Sequence, residues 1–412
     1  MILLSHPTAN QNVRQAALAL AATGLLDEFW TCILWRQGSL LDQLIALVPP
    51  VKKELRRRSF PTELAPFIHS YPWRELGRLL TSKLGLANLS KEERSPLSID
   101  SVYRSFDQRV ALHLHHCLTI KGVYAYEDGA LATFRAAKQV GMKCFYEHPT
   151  VHWREVQRLE AEEAELSPEW TSTLAALNDS QEKLRRKDEE LALADVIITP
   201  SHFARRSLIH QTSVTAPVHV ISYGSLLEQS RRAFGESGSR LRVIFVGALT
   251  QAKGLGYLLD AADRLRGEIT LTIVGRRVSR KIPEAARLHS HRWTPSVPHA
   301  DLLREMSRHD VLVLPSLHEG FGLVLGEAMA QGVVVITTAH TAGPDLISDG
   351  LDGFVVPIRS AEAIAEKLSL LQRDRELLRA MQTAAQAKAR SMKWENYRHR
   401  LAALARKVIA NH

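Results

Sequence analysis

Apolar residues along the chain fall into short unbroken runs, each followed by a stretch with helical spacing. In the first half these runs are Ile2–Leu4, Trp30–Trp35, Gly122–Tyr126 and Lys143–Tyr146. Val196–Thr199 and Val218–Ile221 follow, and the second half adds Val243–Val246, Thr270–Val274, Val311–Leu314 and Val333–Thr337. An unbroken apolar run, unlike an alternating one, suits a strand covered on both faces. Strands that alternate with helices predict parallel, doubly wound sheets. About ten strands exceed one Rossmann-like unit and suffice for two. The expected fold class is therefore α/β, with two Rossmann-like doubly wound parallel-sheet domains.

The stretch 224–240 is small, polar and glycine-rich without periodicity, and marks the boundary. This gives a first domain over 1–225 and a second over 226–390. A final segment, 391–412, carries helical periodicity from Trp394 to Lys407 and is expected to pack back on the first domain. Residues 153–193 read as inserted helices dense in Glu, Arg and Lys. Within them Ser167-Pro168-Glu169 predicts a helix start, with Ser167 as N-cap and Pro168 in the first helical position.

Two stretches carry candidate chemistry. From Val311 the chain reads VLVLPSLHEGFGLVLGEAMAQGVVV. A buried strand ends at Pro315, a polar loop runs to Gly322, a helix follows over 323–330, and Gly332 stops it. Ligands of open α/β sheets lie at the carboxyl ends of strands, facing helix N-termini. Glu319 thus sits at the ligand-facing edge, and Glu327 lies inside an otherwise apolar helix. From Val243 the chain reads VIFVGALTQAKGLGYLL, where Lys253-Gly254 opens a helix after a strand and Gly247. A lysine beside backbone N–H groups at a helix start is a natural diphosphate seat. The stretch is not a GxxxxGK[ST] loop, and no GxGxxG follows a strand, so no nicotinamide or flavin cofactor is expected.

In the first domain, the polar residues Asn10, Asn12 and Arg14 follow the first strand and offer contacts to an acceptor or a phosphate. Glu127 and Asp128 end the strand over 122–126; they meet an acceptor hydroxyl, or Asp128 caps the next helix. His113, His115 and His116 cluster on a helix, but the sequence locates no carboxylate or third ligand, so no metal is expected. The basic run Lys52, Lys53, Arg56, Arg57 and Arg58 lies beside Phe60, Phe67, Tyr71 and Trp73. It suits either a peripheral contact with an anionic membrane or a solvated helix and loop over the sheet.

Composition narrows the partners. The 412 residues include 53 basic and 44 acidic ones, a net charge of +9, which attracts anions: nucleic acid, acidic lipid or phosphorylated small molecules. No RNP, zinc-finger or helix-turn-helix pattern is present, so no nucleic-acid partner is expected. Three widely spaced cysteines, Cys32, Cys117 and Cys144, argue against a disulfide scaffold and fit a reducing cytoplasm. No apolar run approaches the roughly 18 residues of a membrane span, and no basic run precedes the apolar start, so no secretory leader is expected.

Taken together, the chain resembles the retaining glycosyltransferases of family 4 (group 1), which have the GT-B architecture of two Rossmann-like domains facing a central cleft. Glu319 and Glu327 match its motif of two glutamates separated by seven residues, and EGFG at 319–322 matches its opening. Phe245-Val246-Gly247 with Lys253-Gly254 matches its phosphate loop. LADVIITPS at 193–201, the Ile221–Gly224 turn and Trp394-Glu395 match its other landmarks. The resemblance implies a nucleoside-diphosphate sugar as donor, a saccharide or lipid-linked acceptor and no cofactor. It implies that Glu319 contacts the donor sugar, Glu327 the ribose and Lys253 the diphosphate. The backbone at Gly320, Phe321, Gly322 and Leu323 would face the donor, and the loop around Arg292 its base. A histidine at the end of a first-domain strand faces the transferred sugar in that family; His148 has that position, with His152 as second choice. The family's phosphate-loop arginine is missing, since Ala248 follows Gly247, leaving Arg276 or Arg14 as substitutes. The implied role is metal-independent sugar transfer in surface polysaccharide or glycolipid assembly, in the cytoplasm or at the inner membrane face. A noncatalytic sugar-nucleotide-binding protein of the same fold is the alternative.

Overall fold

The computed structural model of the 412-residue chain describes residues 1–35, 55, 58–83, 87–90, 92–117, 119–225, 240–278 and 285–410. The first sheet holds β1 (Ile2–Ser5), β2 (Leu26–Thr31), β3 (Ile68–Ser70), β4 (Gly122–Tyr126), β5 (Lys143–Glu147), β6 (Val196–Thr199) and β7 (Val218–Val220). Their order is β3-β2-β1-β4-β5-β6-β7, all parallel. The second holds β8 (Leu241–Val246), β9 (Ile269–Val274), β10 (Arg292–Thr294), β11 (Val311–Leu314), β12 (Val334–Thr338) and β13 (Gly353–Val356). It runs β10-β9-β8-β11-β12-β13, again all parallel. Both orders reverse direction at one point, between β1 and β4 and between β8 and β11, and a crevice opens outside the strand ends there.

Helices cover both faces. Those of the first half are α1 (Gln11–Ala22), α2 (Trp73–Lys83), α3 (Ile99–Leu114), α4 (Leu131–Gln139), α5 (Trp153–Leu166), α6 (Gln181–Leu193) and α7 (His202–Leu208). The second half has α8 (Leu255–Arg264), α9 (Ala285–Leu288), α10 (His299–Met306), α11 (Leu323–Ala330), α12 (Gly343–Leu346), α13 (Ala361–Arg373), α14 (Arg375–Ala389) and α15 (Trp394–Ala410). This double cover is why the strand runs are unbroken: β1, β11 and β12 are buried at every residue.

Three differences from the sequence reading have physical causes. The second strand starts at Leu26, not Trp30, and takes in two acids. Asp27 accepts from the Thr119 hydroxyl at 2.9 Å, and Glu28 accepts from the Trp30 indole at 2.6 Å, so neither carboxylate lacks a partner. The edge strands β3 and β10 are three residues long and mixed in polarity, which leaves no apolar run to notice. Pro168 opens a 3₁₀ turn over 168–173, and the Ser167 side chain makes no capping bond.

Asp128 is not the cap of α4. It adopts a left-handed backbone (φ 69°), and remote carboxylates satisfy the helix start instead. Glu190 of α6 accepts the N–H groups of Asp128, Ala130 and Leu131 at 2.9, 3.1 and 3.2 Å. Asp107 of α3 accepts those of Ala132 and Thr133 at 2.6 and 2.9 Å. Two neighbouring helices are thereby fastened to the first turn of a third.

The chain crosses between domains at Tyr223–Ser225 and crosses back at Met392–Trp394. The two crossings touch: the Ser225 N–H donates to the Met392 carbonyl at 2.8 Å, and a Cβ on Gly224 would lie 2.3 Å from the Trp394 nitrogen. Beyond the second crossing, α15 lies on α1, with Arg398 donating to Gln15 (3.0 Å) and Arg400 to the Val220 carbonyl (2.7 Å). The inserted segment 153–178 straps the first domain to the second. Glu163 of α5 accepts from Gln251 (2.7 Å), Tyr257 (2.7 Å) and Arg359 (2.8 Å), and Thr173 accepts from the Gln251 N–H at 3.1 Å.

Candidate active site

The cleft is assembled from backbone upward. Past β8, Thr250 accepts from the Lys253 N–H at 3.3 Å and turns the chain into α8. Gly254 has φ 72°, and a Cβ there would stand 2.1 Å from the Pro315 carbonyl oxygen, so the loop after β8 is pressed onto the loop after β11. That contact brings Lys253 and Glu319 together as an ion pair. Gly322, at φ 84°, forms the N-cap of α11 with no side-chain capping bond, so the helix start is left to an outside acceptor. A cavity of about 410 Å³ is lined by Lys253, Glu319, Phe321, Gly322, Leu323 and Glu327, with Pro149 and Tyr223 facing them from the first domain and the crossing. Glu327 is held by His299 at 2.9 Å.

Gly320 has another task. A Cβ there would lie 1.9 Å from the Pro149 carbonyl oxygen, and its own carbonyl accepts from the Ser201 hydroxyl at 2.6 Å. It is a contact between domains rather than part of the cavity lining. Phe321 meets the Tyr223 ring edge-on at 5.2 Å. Arg292 does not reach the cleft: it is exposed on β10 beside the middle of β9 and pairs with Glu305 at 3.2 Å.

On the first-domain side, Glu127, Asp128 and Asn10 border a second cavity of about 540 Å³ with His6, Tyr103 and Pro149. Asn10 also caps α1, accepting from the Val13 N–H at 3.4 Å. Burial opposes charge on Glu127, but Lys187 at 2.8 Å and His148 hold its carboxyl below the usual range. Burial raises the neighbouring Asp128 carboxyl, which Lys187 and Arg186 face at 3.5 Å each. His148 is 1% exposed and lines neither cavity. Its Nδ1 bonds the Thr150 carbonyl at 3.0 Å and its Nε2 lies 3.6 Å from Glu127, so the ring sits behind Pro149, with burial lowering its pKa. His152 caps α5, its Nδ1 accepting from the Arg154 N–H at 3.2 Å, and it is fully buried. Asn12 points inward, donating to Tyr223 at 3.1 Å. Arg14 donates to the Ala9 carbonyl at 2.9 Å and covers the Phe60 ring.

A buried polar hub was not anticipated from sequence. Glu147, at the end of β5, accepts from the hydroxyls of Tyr124 (2.5 Å), Tyr223 (2.6 Å) and Tyr397 (3.2 Å) and from Asn12 (3.4 Å). Burial and the Glu147 carboxylate push all three phenols well above their ordinary range. The alternation of Tyr124 and Tyr126 beside Glu147 in register was the available signal; the partners Tyr223 and Tyr397 come from far along the chain.

Two histidines set an acid limit. His6 Nδ1 accepts the N–H groups of Thr8 (3.1 Å) and Ala9 (2.9 Å), a role only the neutral ring can fill, and burial lowers its pKa to about 3. Burial, with the neighbouring His148, lowers that of His152 to about 4. Both folded values lie below the unfolded value of 6.5, so the stability they contribute is complete above pH 6.5 and is lost as pH falls. Unfolding free energy should drop by about 1.4 kcal/mol per pH unit for each ring below pH 6.5. In urea titrations at several pH values, His6→Asn, whose amide oxygen can take the same two N–H groups, should remove one proton from that slope.

The membrane reading loses part of its basis. Arg58 is buried and pairs with Glu75 at 2.6 Å, which Arg78 also engages at 2.7 Å. Phe60 packs edge-on against Phe29, whereas Trp73 is 72% exposed. Lys52, Lys53, Arg56 and Arg57 lie outside the described residues. Among those described, no helix is long and apolar enough to cross a membrane.

This architecture, two parallel Rossmann-type sheets with a cleft at their reversal points, is the GT-B fold of glycosyltransferases. The structure of sucrose-phosphate synthase from Thermosynechococcus elongatus superposes with a TM-score of 0.66 at 17% identity, covering 100% of this chain and 99% of that one. That of Anabaena HepE in complex with UDP-glucose does so with a TM-score of 0.62 at 16% identity, covering 98% and 99%. Residues 228–388 match the family Glycosyl transferases group 1, so the second domain carries that family's signature. A putative colanic acid biosynthesis glycosyltransferase, WcaL, of Salmonella typhimurium is 30% identical over 174 residues, 39% of this chain and 43% of that protein. The chain spans less than half the length of the first curated relatives it matches.

Proposed function

We propose that the chain is a retaining, metal-independent glycosyltransferase that moves a hexose from a nucleoside-diphosphate sugar to an acceptor hydroxyl. The observation that carries this reading is the Lys253–Glu319 ion pair beside the uncapped start of α11, in a cleft between two Rossmann-type sheets. An arriving diphosphate would draw Lys253 from Glu319. The ammonium and the helix start then face the charge that grows on the leaving phosphate. Glu319, released, accepts from the sugar hydroxyls, and Glu327 from the ribose. The acceptor would enter beside Glu127 and Asp128, and the leaving phosphate oxygen would take its proton on the same face of the sugar. Of the two substitutes for the missing arginine, Arg276 fits better. Its carbonyl accepts from the Leu249 N–H at 3.0 Å and its side chain is exposed beside the phosphate loop, whereas Arg14 is turned to Ala9 and Phe60. The relationship to WcaL and the UDP-glucose complex of HepE support a sugar-nucleotide donor and a role in surface polysaccharide or glycolipid assembly.

The test is a panel of sugar nucleotides scored by thermal shift and by release of free nucleoside diphosphate. One donor should give both, and turnover should persist in EDTA well below the melting temperature. Binding without release in the presence of candidate acceptors would mark a noncatalytic sugar-nucleotide-binding protein. Activity lost in EDTA and restored by manganese or magnesium would overturn the metal-independent reading.

A further inference from the structure

The histidine-rich end of α3 acquires from the fold what the sequence alone did not locate. His113 and Cys117 lie four residues apart, one in the last turn of the helix and one just beyond it. β2 runs alongside and places Glu28 against them. His113 Nε2 is 2.8 Å from one Glu28 carboxylate oxygen and 3.0 Å from the other. One nitrogen, one oxygen and one sulfur atom from these three residues all lie within 4.8 Å of one another. From these observations we propose that Glu28, His113 and Cys117 bind a divalent transition-metal ion, zinc by preference.

The chemistry of the donor set selects the ion. Imidazole, carboxylate and thiolate together suit a borderline-soft cation, whereas magnesium and calcium take oxygen ligands. Bonds of about 2.0–2.3 Å place neighbouring ligand atoms of a tetrahedral zinc about 3.3–3.7 Å apart. To reach that spacing the Glu28 and His113 atoms must part slightly, with the Cys117 sulfur within 4.8 Å of both, and the fourth position is left to water. The surroundings are those of an oriented ligand: the Trp30 indole donates to Glu28 at 2.6 Å, fixing the carboxylate from behind, and His69 stacks on Trp30 at 5.3 Å. All three ligands are partly exposed, which gives the ion a path in from solvent. His115 and His116 are exposed and are not among the three. The site lies where α3 leads into the loop before β4, at the opposite end of the sheet from the Lys253 cleft. Its role is to pin the end of α3 to β2, independent of sugar transfer.

The experiment uses the full chain without affinity-tag histidines, stripped of metal and titrated with Co(II), then with Zn(II) against a chromophoric chelator. One equivalent of Co(II) should bind with a near-ultraviolet thiolate-to-cobalt band, and Zn(II) should raise the melting temperature by several degrees. Cys117→Ser should abolish the band while leaving the circular dichroism unchanged. His113→Gln and Glu28→Gln should each weaken zinc binding by at least about tenfold. Absence of the band, a band that survives Cys117→Ser, or zinc affinities within twofold of the parent in all three variants would overturn the assignment. None of these readouts depends on turnover, so they stand apart from the test of sugar transfer.

Discussion

Lys253→Ala is expected to lower turnover at least about a hundredfold. Removing one donor aimed at developing charge costs about 2.7–4 kcal/mol of barrier, or two to three orders of magnitude in rate. The geometry here gives reason to expect the upper part of that range. Lys253 is paired with Glu319, so its removal also leaves an uncompensated carboxylate beside the incoming diphosphate. The diagnostic comparison is Lys253→Ala against Lys253→Ala/Glu319→Gln in steady-state release of nucleoside diphosphate. If Lys253 acts as proposed, the double variant recovers donor binding but not turnover. Glu319→Gln alone should lower kcat strongly, whereas Glu327→Gln, tied to His299 at the far side of the cleft, should mainly raise KM. Near-normal turnover in Lys253→Ala would place the diphosphate seat elsewhere.

Glu147→Ala is expected to cost about 3–5 kcal/mol of stability, because several buried donors lose one shared acceptor and each buried donor left unsatisfied costs about 1–3 kcal/mol. The substitution would leave three tyrosine hydroxyls without the acceptor they share and the Asn12 amide with the Tyr223 oxygen alone. These groups come from α1, β4, the first crossing and α15, so the loss is spread over the part of the first domain nearest the second. Tyr397→Phe, which removes one of the bonds to the carboxylate, should cost about 1.5–3 kcal/mol. Differential scanning calorimetry should show both as a lowered midpoint of the first-domain transition. A shift of less than a degree for Glu147→Ala would show that the carboxylate is not what holds these four elements together.

The parts of the fold legible in the sequence were those buried on both faces. VLVL and VVITT read as strands because nothing polar interrupts them, and the helix over 323–330 ended at Gly332, whose φ is 69°. Edge strands such as Arg292–Thr294 are illegible because an edge tolerates polar residues, and Leu26–Thr31 is misplaced because its two acids are satisfied by the distant Thr119 and by Trp30. The candidate site divides in the same way. Lys253, Glu319 and Glu327 lie in two short segments with recognisable punctuation, and they line one cavity. His148, His152, Asn12 and Arg14 have a suitable residue type at a promising place, but the first two and Arg14 are bonded to backbone groups within five residues and Asn12 to Tyr223 of the crossing. Residue type alone does not say that a nearby backbone group will take up His148, His152 or Arg14, and Tyr223 comes from far along the chain. Gly320 shows the converse: its motif position pointed to a ligand, and its missing side chain serves the approach of Pro149.

The touching crossings at Ser225 and Met392 bear on how such a chain can be rebuilt. Topologically, the second domain is an insert in the first, leaving and re-entering at points one hydrogen bond apart. A host closed by a short splice between residues 225 and 392 would retain its whole sheet and the helix that covers α1. The insert can then be exchanged as a cassette, with a donor-side domain from another chain spliced at the same two points. The graft would need to reproduce the partners of Glu163 and Thr173 on its inner surface, the groups that meet Glu160, His202 and Phe203, and a glycine opposite Pro149. On the proposed function, acceptor and donor preferences would therefore be recombined by moving one continuous piece of chain.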